Sequence, residues 1–150
     1  MTISEIASLG GIVFGVTGAI LGYISYFRDQ GKIMATLQWD MAIINIPRYD
    51  PSKKWGVLTV TNIGRRTVYI QTAFIELPKK YGLNLLIHDS PTEYRKLSEG
   101  DPPIPYIIDQ SQMAKYSKDW KKIKAKVQIS TGKIFQSKRN RKMSKPSWAE

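Results

Sequence analysis

The sequence predicts a single N-terminal transmembrane α-helix followed by an all-β antiparallel sandwich, with a small β-barrel as the alternative. Three observations carry that expectation. Residues 6–27 form an apolar run, residues 36–137 alternate in short stretches broken by turn signals, and every Lys and Arg follows residue 27. The matching organisation is a membrane anchor and neck over residues 1–33, a β-domain over 34–137 and a basic tail over 138–150.

Residues 6–27 hold no acidic or basic side chain, with Glu5 before them and Arg28 after. At about 1.5 Å of helix rise per residue the run is about 33 Å long, enough to cross a hydrocarbon core of roughly 30 Å. A secretory signal peptide fits less well, because no basic stretch precedes the run and it exceeds the usual apolar region of about 7–15 residues. Basic residues are retained on the cytoplasmic side, and Arg28, Lys32 and Arg48 follow the run while none precedes it. The expected placement is therefore a single pass through the cell (inner or plasma) membrane, N-terminus outside and C-terminal domain cytoplasmic. Tyr23, Tyr26 and Phe27 fall at the cytoplasmic end, where aromatic rings favour the headgroup level.

Ser8, Gly11, Gly15, Gly18, Gly22 and Ser25 recur at helical spacing and share one face. Two G-x-x-x-G steps lie in that glycine zipper, the pattern that lets helix backbones approach closely in lipid. The opposite face carries Leu9, Ile12, Val13, Val16, Ile20 and Ile24. Pairing of the span with itself or with another membrane protein follows, although glycine is also simply common in membrane helices.

Beyond the span the period changes to two. Leu37, Trp39, Met41 and Ile43 alternate with polar residues over residues 36–46, and Leu58 and Val60 alternate with Thr59 and Thr61. Asn62-Ile63-Gly64-Arg65-Arg66 then reads as a hairpin connection into a strand over residues 67–77. That strand changes parity, since Val68, Ile70 and Phe74 oppose Ile75 and Leu77, so a bulge or bend is expected near Thr72 to Phe74. Residues 83–88 read as a short strand, 89–105 as a long surface loop rich in proline and charge, and 106–108 as another short strand. Ile123, Ala125, Val127 and Ile129 alternate with Lys122, Lys124, Lys126 and Gln128 before Ser130-Thr131-Gly132 turns the chain into a last strand. Residues 138–150 are basic with few apolar residues and read as a disordered or surface-bound tail.

The net charge is +11. A basic surface is expected from Lys121, Lys122, Lys124, Lys126, Lys138, Arg139, Arg141 and Lys142, with Trp120 and Tyr116 nearby. Membrane lipid is the nearest anionic surface for a tethered domain, and nucleic acid is the second candidate. A solvated lysine-rich face is the plainer explanation of the same residues. Trp148 in the basic tail could insert at a headgroup interface.

Residues that would carry catalysis are sparse. There is no cysteine, and His88 is the single histidine, adjoining Asp89 and Ser90. Neighbours along a strand point to opposite faces, so that adjacency does not make a catalytic triad. No phosphate-binding glycine loop occurs. Neither an enzyme, a metal site nor a cofactor is expected.

The residues also carry a resemblance. Val60-Thr61-Asn62-Ile63-Gly64-Arg65-Arg66-Thr67-Val68-Tyr69-Ile70, then Leu97-Ser98-Glu99-Gly100-Asp101, then Ser130-Thr131-Gly132-Lys133-Ile134-Phe135 resemble small bacterial proteins with one N-terminal span and a cytoplasmic immunoglobulin-like domain. The resemblance covers about residues 56–137 and rests on turn signatures; the immunoglobulin cysteines are absent. It implies fold and location and brings no catalytic residues.

The function expected from the sequence is a membrane-anchored, non-enzymatic interaction module that pairs through its helix and presents a basic β-domain to a protein partner or anionic lipid. The alternatives are a membrane-perturbing effector of the bacterial defence or lysis type, gated by the soluble domain, and a membrane-tethered nucleic-acid binder.

Overall fold

An apolar helix leads into two antiparallel sheets. Helix α1 (Ile3–Arg28) is followed by β1 (Ile33–Ala42), β2 (Lys54–Asn62), β3 (Val68–Glu76), β4 (Asn84–Leu86), β5 (Arg95–Leu97), β6 (Ile104–Asp109), β7 (Lys124–Ile129) and β8 (Ile134–Gln136). The computed structural model describes residues 3–28, 30–87, 94–138 and 144–150.

The span Gly10–Phe27 is long and apolar enough to cross a membrane, and none of it is buried against the other described residues. Its one hydroxyl-bearing threonine is satisfied internally, Thr17 Oγ1 donating to the Val13 carbonyl at 2.8 Å. A polar side chain bonded to its own helix is compatible with lipid.

One sheet has the order β1-β2-β6 and the other β4-β3-β7-β8, with β5 pairing β3 on the edge it shares with β4. The sheets face each other and do not close into a barrel. Alternation decides what lies between them: Leu58, Val60 and Tyr106 from the first sheet meet Ile70, Ala73, Ile75, Ala125 and Val127 from the second, all fully buried in one core. The β7–β8 hairpin forms as the sequence predicts, Val127 facing Phe135.

Three features differ from the expectation. The connection after Asn62 is not a hairpin, because both edges of β2 are taken, one by β1 and one by β6, so the chain must cross to the other sheet. The parity change in β3 comes at residues 70–72, where the pairing with β7 shifts register, and Phe74 therefore lies on the outer side while Ala73 and Ile75 turn inward. In β1, Asp40 adopts a left-handed φ of 59° at a register shift between Gln38 and Met41, which puts Met41 outside and exposed.

Two more elements lie where loops and tail were expected. Within the proline-rich stretch, β5 pairs with β3, burying Leu97 opposite Val68. The last residues fold back as a 3-10 turn, Ser147–Ala149, with Ala149 and Pro146 buried. Trp148 packs edge-to-face on Trp39 at 5.3 Å, and Ser147 donates its N–H to Asp40 Oδ2 at 2.9 Å and its hydroxyl to Asp40 Oδ1. The Gln110 amide completes that junction, its oxygen accepting from the Asp40 N–H at 2.7 Å and its nitrogen donating to Asp40 Oδ1 at 3.3 Å. Gly56 makes room for Trp39, since a Cβ there would stand 2.5 Å from the indole.

Strand direction gives the sandwich two distinct ends. Ile33 faces Asn62 and Val60 faces Ile104 at the end where α1 joins, here the neck end. Ala42 faces Lys54, Trp55 faces Asp109 and Glu76 faces Lys124 at the far end. The ends are about 30 Å apart, the length of a ten-residue β1 at roughly 3.3 Å per residue.

Val127 has no exposure and belongs to the hydrophobic core between the sheets. Val127→Asp should abolish the cooperative thermal transition followed by β-sheet circular dichroism, because an unpaired charge in the core costs several times an ordinary surface change. Lys124→Gln, exposed on the same strand, should shift stability by less than about 0.5 kcal/mol.

Candidate functional site

The lysines expected to form one basic surface are divided by the fold. Lys121 and Lys122 end the 3-10 segment Gln110–Lys122 at the far end, and Lys124 opens β7 beside them. Lys126 lies halfway along the outer face of the second sheet, held by Glu76 Oε1 at 2.6 Å. Lys138 lies on the flank, its N–H donating to the Ala35 carbonyl at 3.1 Å beside β1. Arg139, Arg141 and Lys142 lie outside the described residues, as do His88, Asp89 and Ser90.

The 3-10 segment was not foreseen, although its period is visible in retrospect. Gln110, Met113, Tyr116 and Asp119 are its buried residues; the first three follow the three-residue repeat of a 3-10 helix, and Asp119 sits at a kink, with φ −115° and ψ 15°, that divides the segment. Asp119, 7% exposed, is the hub of the far end. Its carboxylate accepts from Tyr81 Oη at 3.0 Å, lies 3.3 Å from Lys122 Nζ and pairs with Lys80 Nζ. Tyr81 meets Tyr116 edge-to-face at 4.9 Å, and Lys80 lies over the Tyr81 ring at 5.0 Å. The Lys80 ammonium, then the Tyr81 and Lys122 donors, hold the Asp119 carboxyl down at about 2 against the cost of burial. Lys80 is correspondingly raised, chiefly by that same bond. Far-end lysines are thus partly neutralised by a buried acid.

The neck end is built differently. The Asn62 side chain donates to the Arg66 carbonyl at 2.8 Å and the Leu97 carbonyl at 3.0 Å, and its Oδ1 accepts from the Gly64 N–H at 2.9 Å. The turn it holds is pressed against the neck. Ile63 and Gly64 N–H both donate to the Lys32 carbonyl, at 2.9 and 3.2 Å, and a Cβ on Gly64 would stand 2.5 Å from the Gln30 carbonyl oxygen. Ile63 is left 56% exposed at the tip, flanked by the exposed Arg65 and Arg66. Lys32 in turn lines a notch of about 380 Å³ with Tyr23, Ile24 and Phe27 of α1.

The small-residue stripe lies open: nothing comes within 4 Å of where a Cβ would stand on Gly11, Gly15, Gly18 or Gly22, and Ser8 and Ser25 fall on the same helix. A cleft of about 220 Å³ also opens between the sheets at the far end, lined by Ile75, Leu85, Ile87, Ile108 and Met113 with Tyr49 and Trp55 beside them. Among the described residues no three of His, Asp or Glu converge as metal ligands. The described residues present three surfaces: an uncovered apolar helix, a cationic turn at its exit and a lysine-bearing end opposite.

No protein-family model matches the chain, and a search of curated proteins finds no significant match to it.

Because the Asp119 carboxyl is lowered from 3.8 to about 2 on folding, its contribution to stability is complete above pH 4 and is lost as pH falls through that interval. Asp119→Asn should lower the thermal midpoint at pH 7 by several degrees. The difference from the unsubstituted protein should shrink steadily between pH 4 and pH 2 in melts of the detergent-solubilised chain.

Proposed function

We propose that the chain is a membrane-anchored, non-enzymatic interaction module. Helix α1 crosses the membrane once with the sandwich on the cytoplasmic side, and its small-residue face pairs with a second copy or with another membrane protein. The sandwich carries its far end, with Lys115, Lys118, Lys121 and Lys124 exposed, about 30 Å from the bilayer toward an acidic protein partner. The observation that carries this reading is the uncovered span: a folded β-core with its own buried residues coexists with an apolar helix that none of the described residues covers. Water would not tolerate an apolar surface of that extent.

Support for an immunoglobulin-like reading of the sandwich comes from strand order: β1-β2-β6 lies opposite β4-β3-β7-β8 and the chain changes sheets after β2, β5 and β6, which is compatible with the Greek-key connections of such domains. The resemblance in the turns after β2 and β7 points the same way.

Topology is tested by fusing reporters after Glu150. A reporter that works only in the cytoplasm should be active, whereas activity of one that requires the outside would reverse the orientation. Pairing is tested in a membrane association assay with the isolated span. Gly15→Leu and Gly18→Leu should each reduce association several-fold, and Val13→Ala and Ile20→Ala, on the opposite face, should leave it unchanged. Equal loss from both pairs would remove the stripe as the interface. Collapse of membrane potential on expression would instead favour the membrane-perturbing reading.

A further inference from the structure

We propose that the neck end of the sandwich is a docking surface for anionic lipid headgroups, with Lys32, Arg65 and Arg66 as the cations and Ile63 as the side chain that enters the interface. The inference rests on α1 being a span and goes beyond it, because an anchor alone leaves the domain free to tumble.

Height above the bilayer is the first step of the argument. Residues 29–32 connect α1 to β1, a reach of at most about 14 Å at roughly 3.5 Å per residue, and the headgroup layer outside the hydrocarbon is about 5–8 Å deep on each side. Lys32 does not use that reach. It lines one notch with Tyr23, Ile24 and Phe27, the aromatic end of the helix, and aromatic rings of a span stand at the headgroup level. The turn bearing Ile63, Arg65 and Arg66 is bonded to the Lys32 carbonyl through the Ile63 and Gly64 amides. Wherever Lys32 stands, those residues stand beside it.

Charge is the second step. Lys80, Lys122 and Lys126 face Asp119 or Glu76. Among the described residues, Lys32, Arg65 and Arg66 make no such ion pair, and all three are exposed. Lys96 and Lys133 are exposed toward the same end. Among the described residues the acids there are Glu99 and Asp101, and Asp101 Oδ2 is occupied by the Ser98 N–H at 2.6 Å. An exposed isoleucine between unpaired cations, held at the exit of an apolar helix, matches a surface that is anionic outside and apolar just beneath. The far-end lysines, about 30 Å away, lie beyond the roughly 8 Å range of the membrane's field at physiological ionic strength.

The chain has no cysteine, so one cysteine carrying an environment-sensitive fluorophore reports a single position. The full chain is reconstituted into phosphatidylcholine vesicles with and without phosphatidylglycerol, labelled in separate preparations at Ile63→Cys, at Ile20→Cys in the span and at Ile44→Cys, 70% exposed at the far end. In anionic vesicles the label at 63 should be shielded from aqueous iodide, the label at 20 shielded in both vesicle types, and the label at 44 open in both. Arg65→Gln with Arg66→Gln should lower the docked-to-undocked ratio about thirty-fold, about five-fold for each cation, while Arg65→Lys with Arg66→Lys should retain docking. A label at 63 that stays open to iodide while the label at 20 is shielded overturns the docking and leaves the span intact. A label at 20 that is open overturns the span and the docking with it. Loss of oligonucleotide binding in the glutamine variant with no change at 63 overturns lipid docking in favour of nucleic acid.

Discussion

The buried side-chain amide of Asn62 ties together the end of β2, the turn that leaves it and the end of β5, using both hydrogens and its oxygen. Its removal would take a partner from the buried Leu97 carbonyl, a cost of about 1–3 kcal/mol for a group that water cannot reach. What makes the amide central is the second contact of the same turn. Gly64 approaches the neck so closely that only a residue without a Cβ fits, and through the Lys32 carbonyl the turn is fixed to the segment that leaves the helix. One short sequence, Asn62-Ile63-Gly64, thus decides where the chain crosses between sheets and how the sandwich is joined to α1.

The two ends of the sandwich then acquire different characters from simple electrostatics. At the far end the buried Asp119 carboxylate gathers Lys80, Lys122 and Tyr81, joining the 3-10 turn Lys79–Tyr81 to the segment after β6. Charge there partly serves the fold. At the neck end Lys32, Arg65 and Arg66 are exposed beside the helix exit and, among the described residues, pair with no acid. A uniformly basic domain would lie against an anionic surface on any side; under the proposed docking, this distribution would set the neck end against the membrane and turn the far end away from it.

The apolar helix, the alternation in β2 and β7 and the β7–β8 hairpin were legible because each is a local period in the sequence. The β2–β3 connection was not: Asn62-Ile63-Gly64 has hairpin composition, and whether a strand pairs with its successor depends on β1 and β6 occupying both edges first. β5 escaped notice because Arg95-Lys96-Leu97 offers one inward residue, and its strand character comes from Val68 across the ladder. The last turn was hidden for a related reason, since Trp148 in a basic setting gains its burial from Trp39, and Asp40 supplies the cap for Ser147 only after adopting a left-handed conformation. The basic surface was legible as composition but not as geometry, because alternation along β7 does not disclose that Glu76 stands beside Lys126, nor that Asp119 gathers Lys122 and the distant Lys80.

The joint between turn and neck is tested most directly by amide hydrogen exchange of the full chain in lipid. The Ile63 and Gly64 amides lie at an exposed turn and would exchange rapidly if it were free; bonded to the Lys32 carbonyl, they should be protected nearly as well as the amides of β2. Exchange of both at the rate of an unstructured loop would contradict the joint, and with it the account of how the sandwich is held against the membrane.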